Sequence, residues 1–130
     1  MADANPTLAH DLAMALHQRG KLKRVYTQNI DGLYQKTGLP DEKIVEFHGS
    51  LAKDNIVMYG DAISEENMDK VQNDFFGEGQ KIDCIIAMGS SLQVSPFLMI
   101  PNMVDKKCCR VLVDIKPENA YTNPYTPRHL

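Results

Sequence analysis

The sequence has no long apolar run and no excess of basic residues, and each absence excludes a class of protein. No stretch approaches the roughly 20 apolar residues that a membrane-spanning helix requires, so we expect neither membrane insertion nor a secretory signal. The formal net charge is −3, and Lys and Arg are scattered along the chain, which does not favour electrostatic binding of nucleic acid. We therefore expect an intracellular protein, cytoplasmic or nuclear.

Cysteine is also scarce. Cys84, Cys108 and Cys109 form neither an even disulfide set nor a CxxC pair, and the four histidines are scattered. This pattern predicts reduced and buried thiols, and it predicts no metal site, zinc included. A GxGxxG dinucleotide motif is absent as well, because the Gly77-Glu78-Gly79 run continues to Ile82 and precedes a strand, which is typical of a loop.

The remaining pattern alternates short apolar runs with helical stretches. The chain has 130 residues, 43% of them hydrophobic, which predicts a single domain over residues 1–130 with an irregular tail at 117–130. Leucines 8, 12 and 16 form a stripe on a first helix that follows Asn5-Pro6 and ends at Gly20. Further helices are predicted at 64–76 and 96–104, and strands buried on both faces at 23–27, 44–47, 83–88 and 110–115.

Strands that alternate with helices predict an α/β fold with a parallel sheet. Ligands of such sheets bind at the carboxyl ends of the strands. Gln28-Asn29, His48 and Gly89-Ser90-Ser91 each follow a predicted strand. We therefore expect these groups to converge on one edge of the sheet.

The run Gln28-Asn29-Ile30-Asp31-Gly32 places amide and carboxylate groups at a turn. These groups can hydrogen-bond sugar hydroxyls or another carboxamide, such as that of nicotinamide. Alternatively, Asn29, Asp31 and Gly32 only form the turn, although that leaves Gln28 unexplained.

His48 follows a predicted strand and can act as a general base near neutral pH. For the other histidines, at positions 10, 17 and 129, we expect structural roles. The Gly89-Ser90-Ser91 loop is suited to present hydroxyl and backbone N–H groups to phosphate or ribose.

Several ordered motifs are typical of one family. They are Pro6-Thr7 with His10, Gly20-Lys21-Leu22, Tyr26 to Leu33, His48-Gly49, Ile56 to Asp61 and Gly89 to Pro96. Together they resemble the sirtuins, or Sir2 family, of NAD-dependent protein deacylases, and the resemblance extends from Asn5 to about Pro117.

The resemblance implies a Rossmann-like parallel sheet flanked by helices, forming an incomplete sirtuin catalytic domain that uses NAD. It makes His48 the base that acts on a ribose hydroxyl while the acyl group moves from lysine to ADP-ribose and nicotinamide leaves. Asn29 is the second catalytic residue. The resemblance implies a nicotinamide and ribose pocket formed by Gln28, Asn29, Ile30 and Asp31. It implies further nucleotide contacts at Gly89, Ser90, Ser91, Val94 and Asp114. It also implies an acyl-lysine channel formed by Val57, Tyr59 and Gly60.

Three departures from the family pattern stand out. The glycine-rich GAGxS loop expected before Pro6 is missing, only seven residues separate His48 from Ile56 where the family carries a zinc ribbon, and Asp114 replaces an asparagine. These departures predict a truncated gene product, an alternative isoform or an isolated domain with little turnover alone; the alternative is a naturally minimised enzyme. They also predict an exposed sheet edge that can support self-association.

Two other functions remain open. One is a catalytically impaired module that binds NAD or acyl-lysine proteins through residues 56–61. The other is an NAD glycohydrolase, in which water replaces the acyl-lysine acceptor. The leading prediction is an NAD-dependent protein-lysine deacetylase with an acylated-lysine protein as substrate.

Overall fold

A computed structural model describes residues 4–58, 61–79, 82–90 and 99–115. The chain divides into two compact units, Met1–Gln72 and Asn73–Leu130, and each is described by itself. Within the described ranges no helix is long and apolar enough to cross a membrane.

The first unit begins with α1 (Leu8–Gln18), whose start is stabilised by His10. The Nδ1 atom of His10 accepts a hydrogen bond of 3.0 Å from the backbone N–H of Thr7, one of the N–H groups that a helix leaves without an internal partner. The imidazole also packs on the ring of Tyr34, with 4.6 Å between ring centroids. The structural role predicted for His10 is therefore observed. Gly20, at φ +67°, follows the helix end as predicted.

The predicted leucine stripe of α1 is not its buried face. Leu8 is 86% exposed and Leu12 is 41% exposed, whereas Ala13 is buried against Leu39 and Ile44. The small Ala13 side chain allows α1 to approach the core closely, and this contact sets the rotation of the helix.

Two short strands, β1 (Val25–Thr27) and β2 (Ile44–Glu46), pair in parallel and form the sheet of the first unit. Between them lies the one-turn helix α2 (Leu33–Lys36), followed by a 3-10 turn at Asp41–Lys43. Every residue of β2 is buried, as the sequence predicted. A second 3-10 turn, Leu51–Lys53, follows β2.

Helix α3 (Glu65–Phe76) matches the predicted helix closely. The hydroxyl oxygen of Ser64 accepts a hydrogen bond of 3.2 Å from the N–H of Asn67 and so caps the helix start. Glu65 and Glu66 lie in the first turn, where negative charge interacts favourably with the helix dipole.

The second unit contains β3 (Cys84–Met88), α4 (Ile100–Met103) and β4 (Cys109–Val113). The two strands pair in parallel, from Cys84 with Cys109 to Met88 with Val113. Burial along both strands alternates, so the prediction that these strands are buried on both faces is wrong for the described structure. Of the helix predicted at 96–104, residues 96–98 lie outside the described part, and α4 lies within the remainder.

The strands and the helices between them confirm the predicted α/β class. In the described ranges the strands form two separate two-stranded parallel sheets. A single domain over the whole chain stays a prediction.

Candidate functional site

The predicted nicotinamide-binding residues form a tight turn at the carboxyl end of β1. The N–H of Asn29 donates a 3.1 Å hydrogen bond to the hydroxyl of Thr27, and one carboxylate oxygen of Asp31 accepts a 3.1 Å bond from the N–H of Leu33. The Asp31 side chain thereby caps α2. Asn29 is exposed, whereas Gln28, Ile30 and Asp31 are half-buried. The turn therefore uses hydrogen bonds of Asn29 and Asp31, and its residues remain partly accessible to solvent.

The negative charge of Asp31 also affects the pKa of its neighbour Tyr34. Burial of the Tyr34 phenol raises its pKa, and the Asp31 carboxylate raises the pKa further. Tyr34 therefore keeps its proton at neutral pH. Its ring packs on that of His10.

His48 lies at the carboxyl end of β2 in a second turn that requires glycine. Gly49 has φ +73°, and a Cβ atom at this position would lie 2.0 Å from the backbone oxygen of Asn55. The Asn55 side-chain oxygen accepts a 2.9 Å bond from the N–H of Ser50, and the Ser50 hydroxyl accepts a 3.2 Å bond from the N–H of Ala52. The chain after His48 is therefore closed into a compact loop.

Two backbone hydrogen bonds join the three predicted elements of the site. The N–H of Leu51 donates to the carbonyl of Ile30 at 3.1 Å, which fastens the His48 loop to the turn after β1. The N–H of Val57 donates to the carbonyl of His48 at 2.9 Å, which places the predicted acyl-lysine segment beside the predicted base. The structure thus brings Gln28–Asp31, His48 and Val57 to one edge of the first unit.

A buried carboxylate, Glu46, connects this edge to the surrounding elements. Its two oxygens accept hydrogen bonds from the side chains of Gln35 on α2 at 2.9 Å and Lys53 at 3.2 Å. Its backbone carbonyl accepts from the Asn67 side chain on α3 at 3.1 Å and from the N–H of Gly49 at 3.1 Å. Glu46 is only 7% exposed, so its charge needs these partners.

Lys53 is the cation of this network. Partial burial lowers the pKa of its amine, but the hydrogen bond and charge of Glu46, together with Asp41, outweigh that effect and raise the pKa above 10.5. Asp41 lies 3.5 Å from the Lys53 nitrogen. Lys53 therefore stays charged and neutralises Glu46.

The nucleotide-binding residues predicted from the second motif lie in the second unit. Gly89 follows β3 and Asp114 follows β4, and the N–H of Gly89 donates to the carbonyl of Val113 at 3.1 Å. Gly89 has φ +61°, and among the described residues no atom beyond its chain neighbours lies within 4 Å of where its Cβ would be. Its backbone is thus open to approach, with Ser90 next along the chain and half-buried.

Four predicted site residues lie outside the described residues: Ser91, Val94, Tyr59 and Gly60. Among the residues that are described, no group of three or more His, Cys, Asp or Glu side chains is placed to hold a metal ion.

The sequence analysis did not identify the Glu46 network. A signal was present, because Glu46 is an acid within an otherwise apolar strand, and a buried acid requires donors nearby. Gln35, Lys53 and Asn67 could not be assigned as those donors from spacing alone, because they lie on three different elements.

Comparison with known proteins gives consistent matches. The Sir2 family profile matches residues 1–55. The chain is 34% identical to the NAD-dependent protein deacetylase HST2 of Candida albicans, over 95% of this chain and 46% of that protein. It is 31% identical to the NAD-dependent deacetylase sir2A of Dictyostelium discoideum, over 93% of this chain and 30% of that protein. The chain therefore spans less than half the length of these relatives.

The alignment with the Candida protein extends over 154 positions, more than the 130 residues of this chain, so that relative carries inserted residues. A solved structure from work on the structural basis for sirtuin substrate affinity has a similar fold. Its TM-score is 0.71 at 23% identity, over 87% of this chain and 61% of the other. This likeness supports the predicted Rossmann-like fold.

We predict that Glu46→Gln destabilises the protein. The substitution removes the charge that Lys53 and Gln35 bind, and we expect the free energy of unfolding to fall by about 2 kcal/mol in urea denaturation. The matched control is Glu66→Gln, which breaks an exposed pair with Lys70 one helical turn away and should change stability little.

Comparison of the wild type with Glu46→Gln at different pH values tests whether the loss of stability is electrostatic. Because folding raises the pKa of Lys53, its contribution is complete below pH 10.5 and is lost as the pH rises through the folded-state pKa. The stability difference between wild type and Glu46→Gln should therefore shrink above pH 10.5. A difference independent of pH, or an equal loss in Glu66→Gln, would contradict the prediction.

We predict that Gly49→Ala disrupts the His48 loop. The control is Gly20→Ala, since Gly20 has a similar φ of +67° but open space around it. Gly20→Ala should cost about 1 kcal/mol from left-handed backbone strain alone, whereas Gly49→Ala adds a clash with the Asn55 backbone. Urea denaturation should show the larger loss for Gly49→Ala, with altered chemical shifts at His48. Equal losses would show that the close contact is unimportant.

Proposed function

Because the chain belongs to the Sir2 family, we propose that it functions in NAD-dependent removal of acyl groups from protein lysines, with His48 as general base. The observation that carries the proposal is the pair of hydrogen bonds Leu51–Ile30 and Val57–His48. They gather the amide-rich turn, the imidazole and the segment that would receive the acyl-lysine. The names of the relatives, which are NAD-dependent deacetylases, support the same activity.

The described residues fit the nicotinamide half of NAD by their chemistry. Asn29 is exposed at the turn, and Asp31 uses one described oxygen as a helix cap, which leaves the other able to accept from a carboxamide N–H. NAD, when bound, supplies the ribose carbon that takes up the acyl oxygen as nicotinamide leaves. Gly89, Ser90 and Asp114 of the second unit stay predicted nucleotide contacts, and the open backbone of Gly89 supports that assignment.

In this proposal, His48 takes a proton from a ribose hydroxyl at one of its ring nitrogens. Its backbone is held by Val57, so the ring starts from a fixed position at the strand end. Asn29 orients the reacting groups by donating and accepting hydrogen bonds through its exposed amide. Val57, with Tyr59 and Gly60, would hold an extended acyl-lysine peptide, so the substrate is an acylated protein.

The test is mass spectrometry of products from the chain incubated with NAD and an acetyl-lysine peptide. We expect slow, peptide-dependent formation of O-acetyl-ADP-ribose, in keeping with the little turnover predicted for this chain alone, and a loss of roughly 100-fold or more in His48→Ala, because general-base catalysis contributes at least this much. The control is His17→Ala, which removes a histidine from α1 and should leave the product unchanged.

Three results would overturn the proposal. Equal product in His48→Ala would remove its assigned role. Free ADP-ribose formed without peptide would indicate an NAD glycohydrolase. Saturable binding of NAD or the peptide without any product would indicate a binding module.

We also propose that the chain self-associates through the edge of the β3–β4 sheet. Val113, the last residue of β4, is 53% exposed, and Ile115, two residues beyond the strand, is 97% exposed. A charge at a strand edge opposes pairing with a second chain. We expect concentration-dependent sedimentation that Val113→Lys suppresses, while Met58→Lys, at an exposed position of the first unit, does not. A monomer at all concentrations would contradict the proposal. The cytoplasmic or nuclear location stays a prediction.

A further inference from the structure

Two cysteines face each other at the start of the second sheet. Cys84 begins β3 and Cys109 begins β4, and the two are direct partners in the parallel register. The N–H of Cys109 donates a 3.0 Å hydrogen bond to the carbonyl of Asp83, which holds the strands together at this point. Both cysteines are exposed, contrary to the burial predicted from the sequence, because the face of the sheet that they share is open in the described structure.

The spacing of two neighbouring strands is compatible with a disulfide between register partners. Neighbouring strands lie about 4.8 Å apart, within the range of roughly 4.4–6.8 Å that separates the Cα atoms of linked cysteines. Register partners also project their side chains on the same side of a sheet. Desolvation raises the pKa of the Cys84 thiol, and the neighbouring Cys109 side chain raises that pKa further.

The third cysteine is placed differently. Cys108 is 7% exposed, whereas Cys84 and Cys109 are open to solvent. Cys108 lies in a bend before β4, and its thiol donates a 3.5 Å hydrogen bond to the carbonyl of Cys109. The pKa of the Cys108 thiol is raised by burial, as that of Cys84 is, so solvent exposure and strand register set Cys108 apart from the pair.

We propose that Cys84 and Cys109 form a thiol-oxidation site that closes to an intramolecular disulfide in the presence of a small-molecule disulfide such as oxidised glutathione. The thiolate of one cysteine attacks the oxidant, forming a mixed disulfide and releasing one reduced glutathione. The thiolate of the other cysteine then attacks the protein sulfur and releases the second. The protein loses two thiol protons and two electrons, and both glutathione thiols are recovered reduced.

The link would join the amino ends of β3 and β4. Gly89 and Asp114 lie at the opposite, carboxyl end of the same sheet, so the disulfide leaves these nucleotide-site candidates untouched. It would close a loop that contains Gly89 and Ser90 and would restrict the unfolded chain. This inference goes beyond the proposed function and does not depend on it.

The experiment incubates the full chain with mixtures of reduced and oxidised glutathione, traps the thiols with an alkylating agent and maps disulfides by peptide mass spectrometry. We expect a Cys84–Cys109 link at every protein concentration, with Cys108 alkylated and the melting temperature raised. The rate should increase with pH as the thiolate fraction grows.

Single Ser variants provide the controls. Cys108→Ser should keep the link and the thermal shift, whereas Cys84→Ser and Cys109→Ser should lose both and retain a glutathione adduct on the remaining exposed thiol. A Cys108–Cys109 link, a link between two chains, or stable adducts on both Cys84 and Cys109 in the wild type would overturn the proposal. Circular dichroism of each variant shows whether a lost link reflects a lost fold.

Discussion

The arrangement around His48 depends on one buried charge. Glu46 is 7% exposed, and an unpaired carboxylate in such a place would be strongly destabilising. The carboxylate accepts hydrogen bonds from Gln35 of α2 and Lys53 of the turn after β2, while the backbone carbonyl of Glu46 accepts one from Asn67 of α3. The elements that contact Glu46 also surround the candidate site. The contacts that bury the acid therefore also hold the site together.

The second constraint is the short distance along the chain between His48 and Val57. In this Sir2-family chain the segment closes on itself, with Gly49 against Asn55 and the His48 carbonyl bonded to Val57. The alignment with the Candida relative requires inserted residues that this chain lacks. In this chain a loop closed by its own backbone places His48, the predicted base, beside Val57 of the predicted acyl-lysine segment.

Much of the architecture was predictable from local pattern. The β-branched runs marked β1 to β4 within one or two residues, and Ser64 with Glu65 marked the start of α3, because these signals act over a few residues. Burial was predicted less well. The leucines of α1 are exposed because Ala13 fits the core more closely, and Cys84 and Cys109 are exposed because the face of their sheet is open. Such outcomes depend on which surfaces meet in space.

By itself the sequence determined the α/β class, the parallel strands, the family and the positions of Gln28, Asn29, Asp31 and His48 at strand ends. Each follows from residue order over short spans, which the chain carries directly. Only the tertiary structure decided that Glu46 is held by three elements and that Cys84 faces Cys109. Both contacts join residues far apart along the chain, and their partners are selected by strand register and by the need to satisfy a buried charge.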